Sequence, residues 1–126
     1  MAVTAIEHGD QTFKIVPQGW YKLLSSKREL TFRYDDVASV EHDTRLANRS
    51  DDAESAPGVK IPFLLKAGTF ERQKDRKLER SFWVRRKGNN CITIHLRPLN
   101  DYNFLCIEVD DPKAEVDRFA DHAHKM

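Results

Sequence analysis

Cys91, Cys106 and five histidines are the side chains of this chain with the widest chemical reach. Cys91 and His95 share the stretch Cys91-Ile92-Thr93-Ile94-His95-Leu96, whose alternation reads as a strand, and they fall on one side of it. Four residues along a strand is roughly 13 Å, too far for a thiolate–imidazole pair. Asn103 to Val109 alternates as well, with Leu105, Ile107 and Val109 on one face. If both apolar sets face one core, Ile94 lies opposite Leu105, which puts Cys106 beside Thr93 and Cys91 beside Glu108. Cys106 is then one diagonal step from His95, the only thiol–imidazole pairing within reach of nucleophile–base chemistry. The plain alternative is two strand residues facing solvent. The two sulfurs are diagonal, with Cα atoms about 7–8 Å apart, beyond ordinary disulfide reach, so both thiols are expected free.

The remaining polar residues offer less. His122 and His124 are two apart on a predicted helix and point to different sides, unlike an i, i+4 metal pair. His8 and His42 have no partner at ligand spacing, and no Cys/His pattern fits structural zinc. Neither Ser81 nor Ser25-Ser26 sits in a Gly-x-Ser-x-Gly turn. Gly58 and Gly68 are not followed by a helix that would turn them into a phosphate cradle. The expectation is a protein without catalytic residues, metal or cofactor, and an enzyme built on Cys106 and His95 is the remote alternative.

Charge is more informative than nucleophiles. Between Glu71 and Asn90 the cations are Arg72, Lys74, Arg76, Lys77, Arg80, Arg85, Arg86 and Lys87, against Glu71, Asp75 and Glu79. The segment from Asp101 to Asp121 is by contrast acidic. A basic tip of this kind suits anionic lipid head groups, a phosphate ligand or an acidic protein surface, or it is simply solvated and internally paired. The overall net charge of +1 argues against nucleic acid as the partner. Of the aromatics, only Trp83 near Arg85 suits stacking on a base, because Phe82 and Trp83 point to opposite faces.

These residues need a scaffold, and the pattern supplies one. Thr12-Phe13-Lys14-Ile15-Val16 alternates and stops at Pro17. Trp20, Leu23 and Leu24 sit at helical spacing in a short amphipathic turn. Leu30 to Tyr34 and Val37 to His42 read as strands on either side of the Asp35-Asp36 turn. The pattern then dissolves between Asp43 and Gly58, a long polar loop. Ile61 to Phe70 is a strand region interrupted by Gly68, Glu71 to Glu79 a polar connection, and Arg80 to Arg86 a strand with an apolar centre. Lys87-Gly88-Asn89-Asn90 reads as the turn into the Cys91 strand. Asp111 as N-cap and Pro112 as first helical residue open a helix over 111–124, with Pro112, Val116, Phe119, Ala120 and Ala123 on one face. The sum is about seven short strands and one terminal helix, an antiparallel sandwich or partly open barrel in one domain over 1–126.

No apolar run approaches the roughly 20 residues that span a bilayer, and the N-terminus lacks a signal peptide's basic and apolar regions. With two cysteines, too few for a disulfide framework, the expected place is the cytoplasm, with contact at the inner face of a membrane compatible.

Pro57-Gly58 and Pro62, Lys66-Ala67-Gly68-Thr69-Phe70, Phe82-Trp83-Val84-Arg85, Val109-Asp110-Asp111-Pro112 and the Val37-x-x-Val40 strand together resemble the pleckstrin-homology (PH) fold, and more narrowly a group of small bacterial proteins with a PH-like domain. The likeness spans nearly the whole chain. Phe63 stands where a glycine is common, and the charged segment after Phe70 is longer than usual. The resemblance implies a fold and no enzyme activity. The function expected is a binding module: protein–protein interaction or self-association through an exposed sheet edge, or alternatively binding of anionic lipid or a phosphate ligand through residues 72–87.

Overall fold

Period-two alternation builds nine strands in the computed structural model, which describes residues 3–19, 21–24, 29–42, 58–61, 65–74, 77–86, 90–98 and 100–124. They are β1 (Thr4–His8), β2 (Thr12–Pro17), β3 (Leu30–Arg33), β4 (Val37–Glu41), β5 (Gly58–Ile61), β6 (Leu65–Lys74), β7 (Lys77–Arg86), β8 (Cys91–Leu96) and β9 (Phe104–Glu108). Helix α1 is a single turn (Tyr21–Leu24), and α2 (Pro112–His124) closes the chain. A 3-10 turn at Tyr34–Asp36 joins β3 to β4.

The strands form two sheets, β1-β2-β3 and β4-β8-β9-β7-β6-β5, that do not close into a barrel. Phe13 and Ile15 of the smaller sheet face Phe82, Val84, Ile92, Ile94, Leu105 and Ile107 of the larger, all fully buried. Burying such side chains is worth about 1.5–3 kcal/mol each, the main term holding the sandwich together. Helix α2 covers one side of this core through Phe119, whose ring meets Phe13 edge-on at 4.9 Å. Its start is fixed as its residues suggest: Ala114 N donates to Asp111 Oδ1 at 3.1 Å, and Pro112 is buried at the first helical position.

The expected pairing of Ile94 with Leu105, Thr93 with Cys106 and Cys91 with Glu108 is the observed register. Three features differ from expectation. The N-terminal residues form β1 and Gly58–Ile61 a separate β5, which raises the count from about seven to nine among the described residues. The stretch 71–79 is not a connection: β6 and β7 stay paired out to Lys74 opposite Lys77. Their outer part is held by cross-strand ion pairs rather than apolar contacts, so its alternation leaves no hydropathy signal. Finally, β7 and β8 are not neighbours. Strand β9 lies between them and runs parallel to β7, the one parallel pair in a sheet otherwise antiparallel. Every residue of β9 is buried, so it gains most from a central place with both faces covered. The polar loop expected at 43–58 lies outside the described residues, except that Gly58 opens β5.

Candidate functional site

Strand β4 is an edge of the larger sheet: among the described strands it pairs with β8 alone. Its register shifts between Val37, opposite Leu96, and Ser39, opposite His95, so Ala38 is an inserted residue, a β-bulge. Beside it runs a groove with a cavity of about 430 Å³, lined by Val37, Ala38, Ser39 and Val40 on one side and by Val116, Phe119 and Ala120 of α2 on the other. Tyr34, Asp35 and Arg97 close its end. Four consecutive residues of one strand line this groove. The bulge at Ala38 interrupts their alternation, so Val37 and Val40 both pack against the main core while Ala38 and Ser39 are exposed. Arg97 anchors the floor, with its N–H donating to Asp36 O at 2.8 Å and its Nε to Asp35 O at 3.0 Å.

Behind the groove, three elements are bolted together by polar contacts. His8 of β1 has Nδ1 2.6 Å from the Tyr34 hydroxyl and Nε2 2.8 Å from Glu115 Oε2 on α2. With the ring neutral, Nε2–H donates to the carboxylate and Nδ1 accepts from the hydroxyl. His122 stacks on Tyr34 with 3.9 Å between ring centres, and His8 lies parallel to His122 at 5.7 Å. The order Tyr–His–Glu mimics a nucleophile, base and orienting acid. Yet Tyr34 is buried, and burial first, then the Glu115 charge, pushes its pKa up, so the hydroxyl keeps its proton. The chain of contacts fastens α2 to β1 and to the 3-10 turn. Sequence reading overlooked this cluster, because β1, the 3-10 turn and α2 carry these residues far apart in the chain.

The basic segment is largely engaged within the fold. Arg72 Nε lies 3.3 Å from Glu79, and Arg80 Nε lies 3.7 Å from Glu71 while its guanidinium sits over Tyr102. Arg86 makes a two-pronged contact with the buried Glu108, as close as 2.6 Å, and that hydrogen bond raises its pKa. Arg85 is buried. Lys77 is exposed near the end of the ribbon, with Lys74 opposite it in the register. Arg76 and Lys87 lie outside the described residues. Of the eight cations, Arg72, Arg80 and Arg86 thus meet carboxylates and Arg85 is buried.

Cys106 and His95 have different surroundings. His95 Nε2 bonds Glu41 at 2.8 Å on a half-exposed rim, whereas Cys106 is fully buried. Both thiols are free. Burial, then the neighbouring Cys91, raises the Cys106 pKa; the Cys106 contact, helped by Arg85, lowers that of Cys91. The face that carries them, expected to be the outer one, is covered. Phe70, Trp83, Cys91, Phe104 and Cys106 form a second apolar cluster, with Thr93 and Glu108 buried in the same strands. Lys66 Nζ sits 3.7 Å from the centre of the Trp83 ring, so this indole is buried under a cation and offers no stacking surface.

Among the described residues no cluster of three or more His, Cys, Asp or Glu has metal-site geometry, and no helix is long and apolar enough to cross a membrane. Comparison with protein-family models, with curated proteins and with solved structures finds no match.

Proposed function

We propose that this protein is a non-enzymatic interaction module that takes up an extended segment of a protein partner along the edge of β4, in the groove walled by α2. One observation carries the reading: the groove lies at the sheet's edge strand, touches four of its consecutive residues, and has the apolar Val116, Phe119 and Ala120 of α2 as its other wall. An added strand would satisfy the edge N–H and C=O groups of β4, and its alternate side chains would fall between Val40, Val116 and Phe119. The PH-like resemblance belongs to this proposal. Two packed sheets and one C-terminal helix support it; the parallel β7–β9 pair departs from it. A cytoplasmic place goes with the same reading. Binding of anionic lipid through 72–87 has less support, because Arg72, Arg80 and Arg86 already meet carboxylates and Arg85 is buried.

Selection from a displayed library of short random peptides tests the reading. Selected peptides are expected to shift the amide resonances of Ala38 to Val40 and to lose binding to Ala120→Arg, which fills the groove from the helix side. Failure to select any peptide, or equal binding to Ala120→Arg, sinks the proposal.

A further inference from the structure

We propose that the segment taken up beside β4 ends in the groove: it is the C-terminus of a protein partner, with an apolar last residue whose carboxylate is held by Arg97. This rests on the reading of the β4 groove as a strand-binding site and names the chemistry of its occupant.

Arg97 is placed at the groove's end but not used up there. Its backbone N–H goes to Asp36 O at 2.8 Å and its Nε–H to Asp35 O at 3.0 Å, which fixes the plane of the guanidinium. The side chain is exposed and lines the groove. Its two Nη groups have no hydrogen-bond or ion-pair partner among the described residues. A guanidinium held by one edge presents its remaining N–H groups as a fork, the geometry that matches a carboxylate. An arginine already anchored in this way gives up little further rotamer freedom on binding.

The other polar groups at this end are engaged. The Tyr34 hydroxyl bonds His8 at 2.6 Å. Asp35 Oδ2 accepts from Arg33 Nη2 at 3.3 Å, and Asp36 Oδ2 accepts from Arg33 N at 3.3 Å. Asp35 thus has a cation of its own, and the fork of Arg97 is left to meet a ligand's negative charge.

Charge and direction agree. Arg97 stands at the start of β4, next to the pairing of Val37 with Leu96. A segment running antiparallel to β4, as β8 does on its other side, finishes beside Val37. Its terminal carboxylate then reaches Arg97, whereas a parallel segment brings its ammonium end to the same cation. Tyr34, Asp35 and Arg97 close the groove there, so a chain that stops fits and a chain that runs on must climb over them.

Size sets the sequence expected. A stretch of four strand residues such as 37–40 spans about 10–13 Å, and side chains on one face of a strand repeat every ~7 Å. The groove therefore takes two side chains, those of the last residue and of the one two places before it. Val40, Val116, Phe119 and Ala120 give both of them apolar walls.

Two displayed libraries of random peptides test this, one with free C-termini and one fused to the carrier through its C-terminus. Enrichment is expected from the first, converging on apolar residues at the last and third-from-last positions. The best peptide is then made as the free acid, as the amide, and as an amide with Asp in last place, and each is titrated by fluorescence polarisation. The free acid is expected to bind about tenfold more tightly than either amide, the worth of one charge-assisted hydrogen bond. Arg97→Gln is expected to erase that difference and to bind the plain amide as the wild type does. Equal binding of acid and plain amide overturns the inference, as does an acid preference that survives Arg97→Gln. Equal binding of the acid and the Asp amide also overturns it, by moving the carboxylate to a side chain. The acid–amide comparison uses the wild-type protein, so it stands whatever Arg97→Gln does to folding. Peptides that come only from the second library and are lost with Ala120→Arg keep the groove reading and end this one; no peptide from either library removes both.

Discussion

Tyr34 carries more of the structure than its place in a three-residue turn suggests. Its hydroxyl bonds His8, its ring stacks on His122, and its edge meets Phe119 with 5.9 Å between ring centres. Tyr34→Phe keeps the rings and removes only the hydroxyl. The expected loss is about 1 kcal/mol, the usual net worth of one hydrogen bond, read as a lower urea midpoint. A pH effect accompanies it. Because burial raises the Tyr34 pKa, the folded state holds this proton more tightly than the unfolded chain. The stability is therefore fully present below the unfolded tyrosine pKa, about 10, and is lost as pH rises through the higher folded value. Tyr34→Phe is expected to flatten that alkaline fall, and an unchanged slope would refute the assignment to this residue. None of this was legible in the sequence: a lone Tyr before Asp-Asp reads as the end of a strand, and nothing local says that His8 and Glu115 converge on it. The cysteines were half legible. Alternation placed Cys106 beside Thr93 correctly, but Thr, Glu and Cys on one face read as solvent-facing, and burial of that face depends on what packs over it.

At the scale of elements, what could be read was what repeats locally. The register of β8 against β9 followed from two apolar sets that must share a core, and α2 from Asp111, Pro112 and a helical stripe. What could not be read was pairing between distant strands of equal character. The parallel β7–β9 contact has no local signature, and the Lys87 to Asn90 stretch looks like a hairpin turn whether or not the strands it joins are neighbours. The ribbon was missed for the opposite reason, since the cross-strand ion pairs Arg72–Glu79 and Arg80–Glu71 put charge on both of its faces. Gly68 was expected to interrupt its strand, but β6 runs through it with an unbroken register, and only its backbone angle is unusual. It lies within β6 opposite Trp83 with φ of 119°, a conformation that side-chain-bearing residues rarely adopt. Gly68→Ala is expected to cost about 1–3 kcal/mol in the same urea measurement, as local backbone strain of this kind does. A loss of only a few tenths would mean that β6 relaxes to an ordinary strand there, and that its pairing with β7 does not depend on the glycine.

For the molecule as a whole, the groove is only as firm as the packing of α2. The helix makes little contact with any single element; it is held by Phe119 against Phe13 and Tyr34 and by Glu115 against His8. Those partners belong to β1, β2 and the 3-10 turn, while the strand across the groove, β4, belongs to the other sheet. The two walls of the site are thus set by packing between sheets, and a strand can be gripped only if both sheets and the helix hold together as one unit. Phe119→Ala tests this. Truncation of a buried Phe costs about 3–5 kcal/mol. If the molecule is one cooperative unit, that loss appears equally in the hydrogen-exchange protection of the β2 amides, whose Phe13 meets the ring, and of the β8 amides in the other sheet. If protection falls in α2 alone while both sheets keep theirs, the helix is a separable lid. The groove would then open by helix release, and a partner strand would bind β4 with a rate limited by that opening rather than by encounter.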